Sequence, residues 1–303
     1  MTQTKPYHSG FITIVGRPNV GKSTLMNALV GEKVAIVSNR PQTTRNRIMG
    51  VMTRQDCQIV FLDTPGIHHP RTRLGEYMMQ SVRDAMDGMD GMLVLVDATQ
   101  VGEQDRRIVT EMGEKKVPKV LALNKIDLMP KEKLLALMAT FADCGYDAII
   151  PISARDGDGL EELARALIAS LPEGPQYFPE DMMTDQPERQ ICAEMIREKA
   201  LLHLRDEVPH GIGVEMMAMN KESDDFMEIH ATIYCERDAH KGIIIGKGGS
   251  MLKKIGSQAR TEIEEFLECQ VNLQLWVKVK KDWRDSDFLL KNFGYNPKDL
   301  SEE

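Results

Sequence analysis

The 303-residue sequence lacks several features that would place it in a specialised class of protein. It has no uninterrupted apolar run of about 18 residues, so we expect no membrane-spanning helix. Its first residues lack the apolar core of a secretory signal, and none is expected. The five cysteines are scattered without a C-x-x-C pair, which argues against a zinc site or disulfide framework and for a reducing compartment. With 38 Lys and Arg against 46 Asp and Glu, the net charge disfavours bulk polyanion binding.

Short apolar runs alternate with helical stretches up to about residue 171. This alternation is typical of an α/β domain with a mostly parallel sheet and helices on both faces. A segment rich in proline and glycine follows, and the pattern then changes. We therefore predict a first domain over 1–175, a linker over 176–188 and a smaller α+β domain over 189–303 that ends in a short helix. The predicted strands of the first domain are 11–15, 47–53, 57–62, 91–96, 118–123 and 147–152, and its helices are 22–30, 73–87, 102–114, 130–142 and 158–170.

Between the first predicted strand and helix lies the Gly-x4-Gly-Lys-Ser pattern of a phosphate-binding loop. Glycines let the backbone approach phosphate oxygens, and the helix N-terminus adds partial positive charge. We expect Lys22 to reach the β- and γ-phosphates and the Ser23 hydroxyl to bind Mg²⁺. The predicted nucleotide contacts of this loop are Gly16, Arg17, Pro18, Asn19, Val20, Gly21, Lys22, Ser23 and Thr24.

A second motif, Asp63-Thr64-Pro65-Gly66, follows the third predicted strand. An acid at a strand end can hold a Mg²⁺-bound water, so Asp63 is a predicted metal-site residue. Gly66 can offer its N–H to the γ-phosphate and turn the chain when that phosphate leaves. The whole motif is therefore predicted to contact the nucleotide.

Two adjacent threonines lie between the first helix and the second strand. One hydroxyl in this loop should complete the Mg²⁺ shell only while the γ-phosphate is present. The sequence leaves both Thr43 and Thr44 open, with a slight preference for Thr43. Together with Lys22 and Gly66, Thr43 is therefore a candidate catalytic residue.

The run Asn124-Lys125-Ile126-Asp127 follows the fifth predicted strand. The Asp127 carboxylate can accept hydrogen bonds from N1–H and the 2-amino group of guanine, whereas adenine would leave this charge unpaired. Lys125 can lie across the base plane, and Asn124 can tie this loop to the phosphate loop. After the last strand, Ser153-Ala154-Arg155 fits a loop whose backbone N–H meets the guanine O6.

The second half predicts the order helix, strand, strand, helix, helix, strand, with Gly246-Lys247-Gly248-Gly249 between the paired helices. The first helix is predicted over 190–207, the two strands over 213–219 and 227–235, and a short amphipathic helix that packs on its own domain over 283–293. This arrangement resembles the bacterial form of the KH domain, whose Gly-x-x-Gly loop runs close to a single-stranded nucleic-acid backbone. Residues 237–260 hold six basic residues and one acidic residue, a basic patch on an acidic domain. The predicted RNA contacts are Lys241, Gly246, Lys247, Gly248, Gly249, Lys253, Lys254 and Arg260.

The first-half motifs, in their order and strand context, resemble a GTPase of the translation-factor class. The pair Pro41-Gln42-Thr43-Thr44-Arg45 and Asp63-Thr64-Pro65-Gly66-Ile67-His68, followed by the KH-like half, is similar to the bacterial Era family in particular. The resemblance implies GTP and GDP as ligands, Mg²⁺ as cofactor, and binding near the 3′ end of 16S rRNA during small-subunit assembly and rRNA maturation. It also implies a mostly monomeric, cytoplasmic protein with peripheral inner-membrane association. The alternatives left open are a nucleotide-gated RNA-binding module and a membrane-associated signalling GTPase.

One position departs from the familiar GTPase pattern. Ile67 stands where many GTPases keep a water-orienting glutamine, and its side chain cannot hydrogen-bond a water. Intrinsic hydrolysis should therefore be slow, or backbone, metal or a partner must place the water. Relatives with asparagine at the position of Asn19 resemble potassium-activated GTPases, which makes K⁺ a candidate ion and Asn19 its candidate ligand. His68 and His69 are expected to be surface loop residues, since no third group orients them as bases.

Overall fold

The computed structural model describes residues 6–38, 40, 43–66, 72–206 and 208–295. Their contacts divide them into two compact units. One holds the described residues of 1–35, 44–68 and 78–185, and the other holds those of 36–43, 69–77 and 186–303.

The first unit is built on a six-stranded sheet among the described residues, in the order β2-β3-β1-β4-β5-β6. Strand β2 runs antiparallel to β3, and the other neighbours are parallel. The carboxyl ends of the parallel strands therefore meet at one edge, where α/β sheets bind ligands. The strands are β1 (His8–Val15), β2 (Ile48–Arg54), β3 (Cys57–Asp63), β4 (Gly91–Asp97), β5 (Lys119–Asn124) and β6 (Ala148–Pro151).

Helices follow the strands as the alternating sequence pattern predicts. Both faces of the central strands are buried: Leu93 and Leu95 of β4 enter one apolar cluster, and Met92, Val94 and Val96 enter another. This double burial explains why these strands read as continuous apolar runs. The helices along this part of the chain are α1 (Lys22–Val30), α2 (Arg73–Met86), α3 (Glu103–Gly113), α4 (Lys131–Phe141) and α5 (Leu160–Ser170).

The predicted linker does not leave the first unit at residue 176, since residues up to 185 belong to that unit. The backbone N–H groups of Tyr177 and Phe178 donate to the Gln58 side-chain oxygen at 2.8 and 2.9 Å. Farther along, the Val51 N–H donates to the Met183 carbonyl at 2.8 Å. Main-chain hydrogen bonds therefore hold this proline-containing segment against β2 and β3.

The second unit contains a three-stranded sheet in the order β7-β8-β9, with β8 antiparallel to β7 and parallel to β9. The order helix, strand, strand, helix, helix, strand is the one that the sequence predicted. Apolar residues of the helices and of one sheet face form its core. Its elements are α6 (Glu188–His203), β7 (Gly213–Ser223), β8 (Phe226–Cys235), α7 (Asp238–Ile245), α8 (Ser250–Leu267), β9 (Gln270–Val279) and α9 (Asp287–Asn292).

Two element ends differ from the prediction. Helix α6 was expected to reach residue 207 but ends at His203, because Leu204 turns to extended geometry and its side chain enters the core. The predicted helix at 283–293 is shorter, and it packs on its own domain. Trp283 is fully buried, and its indole N–H donates to the Gly211 carbonyl at 2.9 Å. The ring of Phe293 contacts that of Tyr234 in a tilted arrangement, with centroids 5.0 Å apart.

No helix among the described residues combines the length and the apolar character that crossing a membrane requires.

Candidate nucleotide and nucleic-acid sites

The predicted phosphate loop connects β1 to α1 at the ligand-binding edge of the sheet. Gly21 begins α1 at φ 104°, a left-handed conformation that disfavours a side chain. A Cβ at this position would also lie 2.3 Å from the Asn124 amide nitrogen. The side chain of Lys22 is buried, and its ammonium donates to the carbonyls of Gly16 and Arg17 at 3.2 and 3.1 Å. The loop is therefore shaped around glycine backbone and one buried cation.

Three oxygen-bearing side chains converge beside this loop. The Ser23 hydroxyl donates to Asp63 Oδ2 at 2.6 Å and lies 2.9 Å from the Thr44 hydroxyl, which itself lies 3.4 Å from the same carboxylate oxygen. The other carboxylate oxygen, Oδ1 of Asp63, is buried with no hydrogen-bond partner. Hydroxyl and carboxylate oxygens are the ligands that Mg²⁺ prefers, so this cluster fits a magnesium ion.

The slight preference for Thr43 over Thr44 does not match this geometry. The Thr43 hydroxyl donates to the carbonyl of Arg40 at 2.6 Å, whereas the Thr44 hydroxyl lies with Ser23 and Asp63. The two hydroxyls thus have different partners, and only that of Thr44 joins the cluster. We therefore revise the assignment in favour of Thr44.

Burial perturbs both charged groups of the site. Removal from water lowers the pKa of Lys22, and the nearby Asp63 carboxylate opposes this shift. Burial likewise raises the pKa of Asp63, although Lys22 and hydrogen bonds from Ser23 and Thr44 counteract it. Desolvation is the largest cause of the pKa shift at each group. The attraction between Lys22 and Asp63 therefore does not offset the free-energy cost of burying their charges. An anion or a cation bound at this site would therefore interact strongly with Lys22 and Asp63.

The predicted base-recognition residues also come together. The Asn124 amide donates to the Val20 carbonyl at 2.8 Å and accepts from the Ala154 N–H at 3.0 Å, so it links the phosphate loop to the loop after β6. Asp127 accepts a hydrogen bond of 2.8 Å from the Ser153 hydroxyl and lies 3.0 Å from the Arg155 guanidinium. Its carboxylate is thereby oriented beside the same edge of the sheet.

The sequence reasoning missed Asp97, which orients Lys125. The two side chains form an ion pair of 2.7 Å, and the Lys125 ammonium also donates to the Asn19 carbonyl at 3.0 Å. Burial alone would raise the pKa of Asp97, but hydrogen bonds from Lys125 and Thr99 outweigh it and hold the pKa below its usual value. The position of Asp97 at the end of β4, on the ligand-binding edge, was the signal that could have identified it.

A second missed residue is Asp105, which anchors the phosphate loop. Its buried carboxylate accepts from the Arg17 guanidinium at 2.5 Å and from the Gly102 N–H at 2.8 Å. One acid thus caps α3 and holds the second residue of the loop. No local pattern predicts this contact, because the partners are 88 positions apart.

The second predicted motif lies against the phosphate loop. The Thr64 hydroxyl donates to the Ile14 carbonyl at 3.0 Å, and Gly66 is close enough to Pro18 that a Cβ would sit 2.6 Å from its ring. Pro65 is buried, while Thr24 and Ile126 are partly exposed near the start of α1 and after β5. Ile67, His68 and His69 lie outside the described residues, so their expected roles stay predictions.

The Gly-x-x-Gly loop joins α7 to α8 in the second unit. Gly246, Gly248 and Gly249 all have positive φ, at 74°, 61° and 79°. Beside this loop, a groove opens between α8 and β9, with apolar side chains on its floor and basic ones on its rim. Its lining is Gly249, Leu252, Lys253, Gly256, Ser257, Arg260, Leu273 and Leu275.

Five of the eight predicted RNA contacts do not line this groove. They are Lys241, Gly246, Lys247, Gly248 and Lys254. Lys247 and Lys254 are exposed, as are the rim residues Lys253 and Arg260. The structure thus brings a basic side and an apolar floor together at one end of the paired helices, which is the arrangement that a strand with splayed bases requires.

A phosphate-loop domain with a guanine-type acid and a magnesium-type cluster, followed by a KH topology, defines a class of RNA-associated GTPases. Family models agree: one described as "50S ribosome-binding GTPase" matches residues 11–125, and one described as "KH domain" matches residues 207–284.

The chain belongs to the GTPase Era family. It is 55% identical to GTPase Era of Ruminiclostridium cellulolyticum, covering 95% of this chain and 98% of that protein. It is 53% identical to GTPase Era of Alkaliphilus metalliredigens, covering 95% and 99%. The predicted family and fold class are thereby confirmed.

Two solved Era structures are similar over nearly the whole chain. A crystal structure of Era in complex with MgGDPNP and nucleotides 1506–1542 of 16S ribosomal RNA has a TM-score of 0.91 and 40% identity, covering 96% of this chain and 99% of that one. A structure of Aquifex aeolicus Era, a variant bound to GDP·AlF4⁻, has the same TM-score and identity, covering 95% and 99%. Both ligand sets belong to the chemistry of GTP hydrolysis, and the chain is a GTPase.

Proposed function

We propose that this GTPase binds Mg²⁺ with its nucleotide, hydrolyses GTP slowly, and uses its KH domain to bind the 3′ region of 16S rRNA during small-subunit assembly and rRNA maturation. The observation that carries the proposal is the convergence, at one sheet edge, of buried Lys22, the Ser23–Thr44–Asp63 cluster and Asp127. Each group has a place in GTP recognition, and each is supplied by a different strand end or loop.

The phosphate side of the proposal rests on charge. Negative phosphate oxygens beside the buried Lys22 ammonium would supply the counter-charge that Asp63 alone does not provide. Ser23, Thr44 and Asp63 would hold Mg²⁺, which neutralises charge on the phosphates of the bound nucleotide. The buried oxygen Oδ1 of Asp63 supports this assignment, because a carboxylate oxygen without a hydrogen-bond donor is suited to a cation or its water.

The base side rests on hydrogen bonding. Asp127 would accept from N1–H and the 2-amino group of guanine, and Lys125, held by Asp97, would cover the base plane. The Asn124 side chain accepts from the Ala154 N–H and holds the loop after β6. Another backbone N–H of that loop would meet the guanine O6. Adenine lacks the two donors that the carboxylate requires, so discrimination should be strong.

Slow hydrolysis follows from the side chain at position 67, an isoleucine that offers no hydrogen bond to water.

We propose K⁺ as an accessory ion near the phosphates, with Asn19 as a ligand. The left-handed backbone of Asn19, with φ 64°, and the hydrogen bond from Lys125 to its carbonyl fix the loop at this position.

The rRNA role rests on the KH groove and on the relative solved with nucleotides 1506–1542 of 16S ribosomal RNA. A cytoplasmic location with peripheral inner-membrane association, and a mostly monomeric state, are parts of the same proposal.

Calorimetry on the full chain tests the nucleotide half. With Mg²⁺ present, GDP and GTP should bind and ADP and ATP should not. Asp127→Asn should weaken GDP binding by about 10-fold or more, since a hydrogen bond to a charged group contributes about 1.5–3 kcal/mol. The same variant should gain affinity for xanthosine diphosphate, whose 2-carbonyl can accept from the new amide. Asp156→Asn is the matched control. Asp156 lies in the loop after β6, where it pairs with Arg155, and it is not placed at the base position.

Equal affinity for guanosine and adenosine nucleotides would overturn the nucleotide half of the proposal.

The RNA half is tested with the full chain and a synthetic RNA of nucleotides 1506–1542, and absence of binding would overturn it. Single-turnover GTP hydrolysis, measured with and without that RNA, tests whether the protein acts through hydrolysis or as a nucleotide-gated binding module.

A further inference from the structure

Trp276 is an exposed indole on a sheet face that the RNA groove does not use. Its exposed fraction is 43%, whereas the other tryptophan, Trp283, is fully buried. The His230 imidazole meets the indole edge-on, with ring centroids 5.3 Å apart and an interplanar angle of 77°. This contact fixes the orientation of the indole at the surface.

Trp276 and the RNA groove lie on opposite faces of the same edge strand. Strand β9 is an edge strand, and its residues Leu273 and Leu275 line the groove on the helix-covered face. Because successive side chains of a strand alternate between faces, Trp276 lies on the opposite face from its neighbour Leu275. A nucleic-acid strand that leaves the groove over the β9 edge therefore reaches the indole within about one to two nucleotides, given the ~10 Å thickness of a packed layer.

The surroundings of Trp276 suit a nucleotide better than an apolar partner. Lys278, two residues along on the same face, is exposed, whereas Gln274 is bonded to Glu228 at 3.2 Å. Glu228 also lies 3.2 Å from the His230 ring nitrogen, so this acid is engaged within the sheet face. One aromatic plane next to an exposed ammonium is the combination by which proteins bind a base and its phosphate.

We propose that Trp276, oriented by His230, is a stacking platform for an unpaired RNA base that extends beyond the KH groove, and that Lys278 contacts the adjoining phosphate. The proposal rests on the proposed RNA-binding function of the KH domain and extends it with a second subsite. This subsite would lengthen the single-stranded segment that the domain can hold beyond the roughly four nucleotides of a KH groove.

The test uses the full chain and synthetic single-stranded RNAs taken from nucleotides 1506–1542 of 16S ribosomal RNA, the segment present in the solved relative. One set of RNAs is about four nucleotides long, and a second set extends each of these by about three nucleotides at either end. The extension should increase the affinity of the parent protein. Trp276→Ala should remove that increase, weakening the extended RNA by about 5- to 100-fold, the range expected when one stacked base is lost. The short RNA should bind both proteins equally.

Two further measurements separate stacking from a loss of folding. Trp276→Phe keeps a ring and should retain most of the increase, while Trp276→Leu keeps apolar area and should not. Intrinsic fluorescence of the parent should be quenched by extended RNA, and the signal reports Trp276 because Trp283 is buried. Phe288→Ala, which removes an aromatic ring that is 72% exposed elsewhere on the domain, is the matched control and should change nothing.

If the extended RNA gains affinity equally in the parent and in Trp276→Ala, or if the short and extended RNAs bind the parent equally, the platform does not exist and the exposed face serves another partner. If no RNA binds at any length, the proposed function of the KH domain fails instead. The two failures are therefore distinguishable in one series of titrations.

Discussion

The adjacent threonines allow a test of the magnesium cluster with an internal control. Thr43 and Thr44 are almost equally buried, at 9% and 8% exposure, so replacing either with valine removes a hydroxyl at nearly constant shape. Only the Thr44 hydroxyl lies within reach of both Ser23 and Asp63, at 2.9 and 3.4 Å. The two substitutions therefore differ in their access to the metal site and in little else.

The expected magnitude follows from what each hydroxyl contacts. Thr44→Val removes an oxygen beside a charged cluster, a change of about 1.5–3 kcal/mol, or roughly 10- to 150-fold in an equilibrium constant. The loss should appear in the Mg²⁺ dependence of GTP binding and much less in that of GDP binding, because this ligand is expected to act only beside a γ-phosphate. Thr43→Val removes a bond to the Arg40 carbonyl and should cost at most about 1.5 kcal/mol of stability.

Titration of Mg²⁺ against a fluorescent GTP analogue on the full chain provides the measurement. Thr44→Ser, which keeps the hydroxyl, should restore most of the metal affinity. The reasoning is refuted if Thr43→Val shows the GTP-specific loss and Thr44→Val behaves as the parent does.

Three further outcomes are expected. Because burial raises the pKa of Asp63, the nucleotide-free protein should lose stability as the pH rises from about 4 through the raised pKa. Asp63→Asn should therefore increase the Tm at pH 7, have little effect on it near pH 4, and abolish Mg²⁺-dependent GTP binding. If the difference in Tm between the variant and the parent is the same at pH 4 and at pH 7, this reasoning is contradicted. GTP turnover should be faster in K⁺ than in Na⁺, and Asn19→Ala should remove the difference, so equal rates in both salts would dismiss the accessory ion. Gly248→Asp should weaken RNA binding in filter or gel-shift assays by placing negative charge in the loop, while Gly88→Asp, at another open position with positive φ, should not; equal behaviour of the two variants would remove the loop from the RNA site.

The sequence predicts most of the fold because burial on both faces leaves a clear mark in it. Strand β4 is apolar at every position from Met92 to Val96, and no amphipathic helix has that pattern. The residues at the carboxyl ends of strands, Asp63 and Asn124, were also predictable, since a parallel sheet brings these ends together at one edge.

The choice between Thr43 and Thr44 was not predictable in the same way. Residues 43–45 belong to no helix or strand, so no periodic pattern in the sequence tells which of two adjacent hydroxyls faces the site. The anchoring pair of Arg17 and Asp105 has the same origin, with 88 positions between the partners. Non-local ion pairs of this kind leave no periodic signal along the chain.

The segment that was expected to be a free linker has a consequence for how the GTPase half can be isolated. Strand β2 is an edge strand, and the Met183 carbonyl and the Thr184 hydroxyl pair with its backbone at Val51 and Met49. Truncation at residue 175 would remove both bonds and leave the β2 edge open, and an open strand edge is a template for intermolecular strand pairing and precipitation. A fragment ending after Asp185 keeps the edge protected, and the same pairing should shield the proline-rich stretch from proteases.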